Sequence, residues 1–381
     1  GVCTATSFSG SGANLTGITA GLTTDAYRNT SGGINAGDSF TSGSATDNTL
    51  IGYDAGTAIT TGDTNTAVGS YALAGVTTGS HNTAVGKSAG GSFQTTNYNT
   101  AVGSEALSQG SAGDKNTAVG YRSLYVNQGI QNTSLGSEAL AANTTGGSNT
   151  AVGRSALAAN TTGDLNTACG SDALQSNTTG EYLTAIGLGA LSNSTTGLSN
   201  TATGTYALNA NTTGFSNTAS GVEALKGNTT GNANIAFGQG ALYTNTTGAH
   251  NVALGNYALR LNTTAVSNSA VGTGALRYNT TGANNTATGY ESLYTNTTGT
   301  HNTASGYQAL YTNTTGDKNV ATGSFALKLN TTGSYNTASG YAAGHSNTTA
   351  SGNTAIGYYA LYTNTTGTHN TASGYKALYL N

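Results

Sequence analysis

Asn149-Thr-Ala-Val-Gly-Arg-Ser-Ala-Leu-Ala-Ala-Asn-Thr-Thr-Gly-Asp-Leu165 is one copy of a 17-residue phrase that the chain repeats from Asn48 to Asn381. Units open at residues 48, 65, 82, 99 and 116, then, after a single-residue deletion, at 132, 149 and every seventeenth residue to 370. So steady a phase means that each unit stacks on its neighbours in the same way, so the chain is a repeat array rather than a string of globular domains. Positions are counted from the opening Asn.

Seventeen residues are too few for a helical-hairpin repeat, which needs about 33, and no 3.6-residue apolar period runs through the unit. Glycine at the fifth and usually the fifteenth position, with Asn and Thr-Thr between, favours turns and strands. The phrase therefore predicts an all-β fold, a parallel β-solenoid or β-roll in which each unit is one coil. Glycine fills the fifth position in every unit, from Gly52 to Gly374. So fixed an offset calls for positive φ or for a corner where a Cβ would strike the next coil. Thr150-Ala151-Val152 reads as a strand, the sixth to ninth positions as a second, and Asn-Thr-Thr-Gly as a turn. The alanines at the third and eighth positions and the leucine at the ninth supply a thin core, joined in some units by the fourth position. From Asn200 onward the fourth position often turns polar, as at Thr203 and Ser220, so help from other chains is expected. Asparagines at the first and twelfth positions would form ladders, as in cross-β stacks, with Leu183 interrupting the first. Twenty coils at about 4.8 Å each give a rod of roughly 95 Å.

Composition narrows function mainly by exclusion. Charged residues are 7% of the chain, and 57 glycines accompany a complete absence of proline, methionine and tryptophan. The absence of methionine is expected of a processed or excerpted chain. A net charge of −3 provides no footprint for nucleic acid or an anionic membrane, and no apolar run is long enough to insert into a bilayer. Cys169 stands at a fourth position that many other units fill with Val, Ile or Leu and reads as a small hydrophobe, with a disulfide to Cys3 or another chain as the alternative. His250 and His301 lie three coils apart, about 14 Å, too far to share a metal ion. The carboxylates scatter along the seventh and sixteenth positions with no recurring acid, base or nucleophile beside them. No catalytic, cofactor-binding or metal-ligating residue is assigned, and the chain is not expected to be an enzyme. Among the charges, Glu105, Arg122 and Glu138 alternate in sign on successive coils, whereas Arg260 and Arg277 place like charges on neighbours.

Two sets of residues carry possible surface roles. Asn143, Asn160, Asn177, Asn211, Asn228, Asn245, Asn279, Asn296, Asn313, Asn330 and Asn364 open the Asn-x-Thr/Ser pattern of glycan acceptors, with a turn-forming ladder as the plainer reading. Tyr290, Tyr307, Tyr341, Tyr358 and Tyr375 share the sixth position, and Tyr294, Tyr311, Tyr362 and others the tenth. Stacked rings would stiffen a rod. Exposed rows of them could instead contact a surface glycan or a neighbouring fibre.

Asn-Thr-Ala-Val-Gly followed by Ala-Leu, as in residues 149–157, resembles the Asn-Ser-Val-Ala-Ile-Gly repeats in the heads of YadA-like trimeric autotransporter adhesins. The likeness spans about seven-eighths of the chain, although the unit here is longer and its strand phrase one residue shorter. It implies a homotrimeric, left-handed β-roll. Residues 2–18 and the Asn-Thr-Thr-Gly turns also resemble segments of tail-fibre proteins of bacterial viruses. Such fibres often lose a self-cleaving C-terminal chaperone domain, and a stop at Asn381, twelve residues into a unit, fits such removal or the end of an excerpt.

These readings lead to an N-terminal cap or attachment segment over residues 1–47 and a shaft over 48–381. The expected function is that of a structural and adhesive fibre, extracellular on a virion or cell, homo-oligomeric with a trimer favoured, and presenting a region that binds a host receptor or surface glycan. A self-polymerising filament and an ice-binding solenoid, the latter through threonines at the second, thirteenth and fourteenth positions, are the alternatives.

Overall fold

In the computed structural model, which describes residues 22–41, 43–91, 93–111 and 113–380, each Thr-Ala-Val phrase is a three-residue strand. β1 (Thr23–Thr24) pairs antiparallel with β2 (Thr30–Gly32), and β2 pairs parallel with β3 (Thr49–Ile51). From β3 to β22 (Thr371–Ser373) every strand then pairs parallel with the next, in sequence order. The register is one unit per step: Thr150, Ala151 and Val152 face Thr167, Ala168 and Cys169. The deleted residue leaves the strands in register, Thr117 facing Thr133, and is absorbed outside them. The molecule is an all-β parallel solenoid with no helix among the described residues.

Strand alternation decides what is inside. The third residue points in and is buried in every unit, while the second and fourth point out. The core of one coil is Ala151, Ala156 and Leu157, each fully buried, and that core repeats along the stack. The fourth position is not part of it: Val68, Leu135 and Ile186 are 36%, 48% and 43% exposed. Polar residues at that position therefore do not thin the core, which each chain completes by itself. Cys169 is likewise outward-facing and a free thiol, and Cys3 lies outside the described residues.

The expected second strand does not form. Positions six to ten make a turn in which left-handed residues alternate with right-handed ones, as at Ser155 (φ 54°) and Leu157 (φ 52°). The alternation sends successive amides in opposite directions. Ser155 N–H donates upstream to the Ser137 carbonyl at 3.0 Å, and Leu157 N–H donates downstream to Ala173 at 3.0 Å. A leucine in the left-handed region costs about 1–2 kcal/mol, and no local propensity announces it. Here the cost is offset by two inter-coil hydrogen bonds and a fully buried side chain. The fifth-position glycine satisfies both reasons inferred for it: Gly153 has φ 134°, and a Cβ there would sit 2.5 Å from the Gly170 carbonyl oxygen.

The stack begins one coil before the first full repeat. Asn29 occupies the ladder position, accepting from the Asn48 amide at 3.0 Å, with 19 residues rather than 17 in that turn.

Candidate functional site

With the interior filled by alanine, leucine and asparagine, whatever the solenoid binds must meet its outside, which offers three kinds of surface. The Asn-Thr-Thr-Gly stretch comes first, because its chemistry is mostly spent inward. Asn160 Nδ2 donates to Asn143 Oδ1 at 2.8 Å and to the Gly163 carbonyl at 3.0 Å, and Asn296 repeats the pattern on Asn279 and Gly299. Asn143, Asn160, Asn177, Asn211, Asn228, Asn245, Asn279, Asn296, Asn313, Asn330 and Asn364 are all at most 2% exposed. In ten of the eleven the nitrogen that would carry a sugar holds the coil to its neighbour, and in Asn211, which follows Ser194, it bonds the Gly214 carbonyl of its own coil, so none of these nitrogens is free for a sugar in the folded chain. The thirteenth threonine is also engaged, Thr161 Oγ1 donating to the Thr178 carbonyl at 2.9 Å. That hydroxyl proton is therefore spent within the stack, and the thirteenth row is half-buried, while the second and fourteenth positions reach the surface more fully.

The first-position asparagines form a matching ladder. Asn149 N–H donates to Asn132 Oδ1 at 3.0 Å, and Asn149 Nδ2 to the Gly163 carbonyl at 2.8 Å. Leu183 still donates its amide to Asn166 Oδ1 but returns no oxygen to the next coil. In the same coil Ser194 replaces the twelfth asparagine, leaving its own hydroxyl and Asn177 Oδ1 buried without partners. Both ladders thus break between residues 183 and 199.

The second surface is the outer sheet face, two residues wide. From Ile51 to Ile186 its fourth-position row is apolar in nine consecutive coils. Further on, Phe237, Leu254 and Val271 form a second apolar group, 45%, 36% and 39% exposed.

The third surface is the six-to-ten turn, where the two tyrosine rows meet. Tyr290 stacks on Tyr307 with centroids 5.5 Å apart and planes 8° from parallel, and Tyr358 on Tyr375 at 5.6 Å and 8°. In the tenth row Tyr294 stacks on Tyr311 at 5.0 Å and Tyr362 on Tyr379 at 5.2 Å. Ser324 interrupts the sixth row, and Phe325 bridges the gap edge-on between Tyr307 and Tyr341. Tyr341 then stacks on Tyr358, which Tyr359 joins to Tyr362. The ring faces cover one another, and edges and hydroxyls are what solvent meets. Burial pushes the phenols of Tyr294, Tyr311 and Tyr341 up, and a hydrogen bond to Glu291 does the same for Tyr290, so these hydroxyls stay protonated. Residue counting found the rows. It missed Phe325, Tyr359 and Tyr257, which sit at the seventh position and join the cluster only because the left-handed turn swings that position beside the sixth and tenth.

Charges divide along the rod. Arg28, Arg122 and Arg154 pair with Asp47, Glu105 and Asp172 of adjacent coils. Arg260 and Arg277 make no ion pair among the described residues. They lie over rings instead, Arg260 at 5.6 and 5.1 Å from Tyr243 and Tyr257, and Arg277 at 5.1 and 5.8 Å from Tyr257 and Tyr294. Interleaved rings explain how like charges sit on neighbouring coils.

Among the described residues no three His, Cys, Asp or Glu side chains gather as a metal site, and no helix is long and apolar enough to cross a membrane. No family model matches the chain, and no curated protein matches it significantly.

Proposed function

We propose that the chain is the shaft of an extracellular fibre, built from three parallel copies, that holds a binding surface away from a virion or cell. The observation that carries this reading is the apolar row on the outer sheet face. It runs for about 38 Å without interruption, and monomeric proteins rarely leave so continuous a patch in water. The whole face measures roughly 95 Å by 10 Å, on the order of 900 Å², close to the about 800 Å² per partner of a stable interface. Side chains that recur every coil in register suit a partner with the same axial spacing, and a second copy of this chain has it. The likeness to trimeric adhesin heads favours three copies over two. The core gives no reason for assembly, since each chain completes its own, so assembly rests on this face.

Light scattering on the purified chain tests the proposal. Three chains are expected, and the variant V68K/V102K/V152K, with all three changes on outward-facing positions, is expected to fall to one chain while keeping its β circular dichroism. A wild-type chain that is monomeric across the micromolar range contradicts the trimer. Discrete rods of fixed length by electron microscopy are expected, and end-to-end filaments would favour a self-polymerising subunit instead.

A further inference from the structure

The overall charge of −3 conceals a division: residues 223–380 hold six lysines and arginines against three carboxylates, Glu223, Glu291 and Asp317, while the remainder holds five against eleven. From Lys226 to Tyr379 every coil also places a cation or an aromatic ring at the tenth position. We infer that this half-buried basic and aromatic stripe is a binding surface for a linear acidic polysaccharide lying parallel to the solenoid axis. The inference deepens the reading of the chain as an adhesive shaft and rests on it.

Three features select that ligand. The first is charge left unneutralised. Lys226 is bridged to Glu223 at 2.7 Å, but Arg260, Arg277 and Lys328 face rings, and a ring attracts a cation without cancelling it. Packing against the rings takes rotamer freedom from these long side chains in advance, so less is lost when an anion arrives.

The second is shape. Lys226, Arg260, Arg277 and Lys328 follow one another at two, one and three coils, about 10, 5 and 14 Å along a straight line. Such spacing suits a polymer with anionic groups at intervals, whereas a small anion needs donors that converge. Gly227 opens a shallow groove at the start of the line, walled by Asn209, Lys226, Tyr243 and Thr244.

The third is the orientation of the rings. Single-stranded nucleic acid and neutral sugars both use free aromatic faces, and here the faces are taken, by rings stacked 3° from parallel at 5.0 Å in the tenth row and by guanidinium groups upstream. What remains outward is cationic nitrogen, ring edge and phenol hydroxyl, which match carboxylate or sulfate groups and sugar hydroxyls.

The test is titration of the purified full chain with heparin (a sulfated glycosaminoglycan), alginate (a polyuronate), dextran (neutral) and poly(dT), at low and physiological salt. Saturable binding to heparin or alginate that weakens with salt, and none to dextran, is expected. R260Q/R277Q is expected to weaken it about tenfold or more, and R122Q/R154Q, on ion-paired arginines upstream, to leave it unchanged. Binding to dextran as tight as to alginate, tighter binding to poly(dT), or no loss in R260Q/R277Q with unaltered circular dichroism overturns the inference. So does absence of binding to all four at low salt. Light scattering on the same samples separates the two readings: a monomer that still binds alginate contradicts only the trimeric shaft, and a trimer that binds nothing contradicts only the stripe.

Discussion

Asparagine is the residue that makes this chain a stack rather than a coil of loose turns. Alanine and leucine supply water exclusion, but thin alanine layers are non-directional and would tolerate slippage. A buried carboxamide does not, because its oxygen and nitrogen must each find a partner one rung away. The twelfth-position ladder starts only at Asn127, the four earlier units holding Ile59, Val76, Phe93 and Gly110 there, and within the laddered coils two such groups are replaced, at Leu183 and Ser194, of which the second can be put back. Ser194→Asn is expected to give Asn177 Oδ1 its missing donor and to raise stability by about 1 kcal/mol in denaturant unfolding. No change, or a loss, would show the twelfth-position ladder to be incidental. Gly153→Ala makes the opposite test. A φ of 134° is closed to alanine and the new methyl would meet the Gly170 carbonyl, so a loss of about 2–3 kcal/mol is expected. Unchanged stability would mean the corner is soft.

At the scale of the coil, the sequence announced some parts and hid others, for physical reasons. The strand, the glycine corner and both ladders were legible because each depends on a property of one residue type at one offset. The six-to-ten turn was not, since Leu157 and its equivalents lie in the left-handed region against their own preference, held there by an amide bond to the following coil while the seventh-position residue bonds the preceding one. The same non-local turn gathers the seventh position into the aromatic cluster and leaves the fourth outside the core. The Asn-x-Thr pattern left a ladder and glycan acceptors both open because a local motif says nothing of burial, and these asparagines are buried in the ladder. One coil also has a titration built into it. Burial, and then the nearby Lys328 ammonium, hold the His345 imidazole below its ordinary value of 6.5, where it stacks on Tyr362 at 5.0 Å. Since the folded value is the lower one, the unfolded chain takes up the proton first. Stability in this region is therefore full above pH 6.5 and lost as pH falls below it, until the folded value is passed. Hydrogen-exchange protection across residues 328–362 is expected to drop on acidification, and His345→Gln to remove that dependence. A pH dependence that survives the substitution would assign the effect to another group.

Over the whole molecule, nearest-neighbour stacking means that stability is set interface by interface, and the weakest interface decides where the rod opens. The coil at residues 183–199 breaks both ladders at once, so native-state hydrogen exchange is expected to find the lowest protection of the interior there. Uniform protection across this coil would show that the alanine and leucine core carries the cooperativity without the carboxamides. The same coil ends the apolar row of the sheet face, the basic and aromatic tenth positions begin two coils later at Lys226, and the first of their cations without an ion pair, Arg260, lies four coils later. Under the two proposals, the longest apolar row would serve assembly in the first half of the rod and the basic, aromatic stripe would serve binding in the second. The measurement that reaches the central claim most directly is a cryo-EM reconstruction of the purified chain. The account predicts a rod about 95 Å long in which the glycines at 153, 170 and 187 lie one above another, about 4.8 Å apart. A map with those glycines on different sides of the molecule, or with any other spacing between successive units, would contradict it.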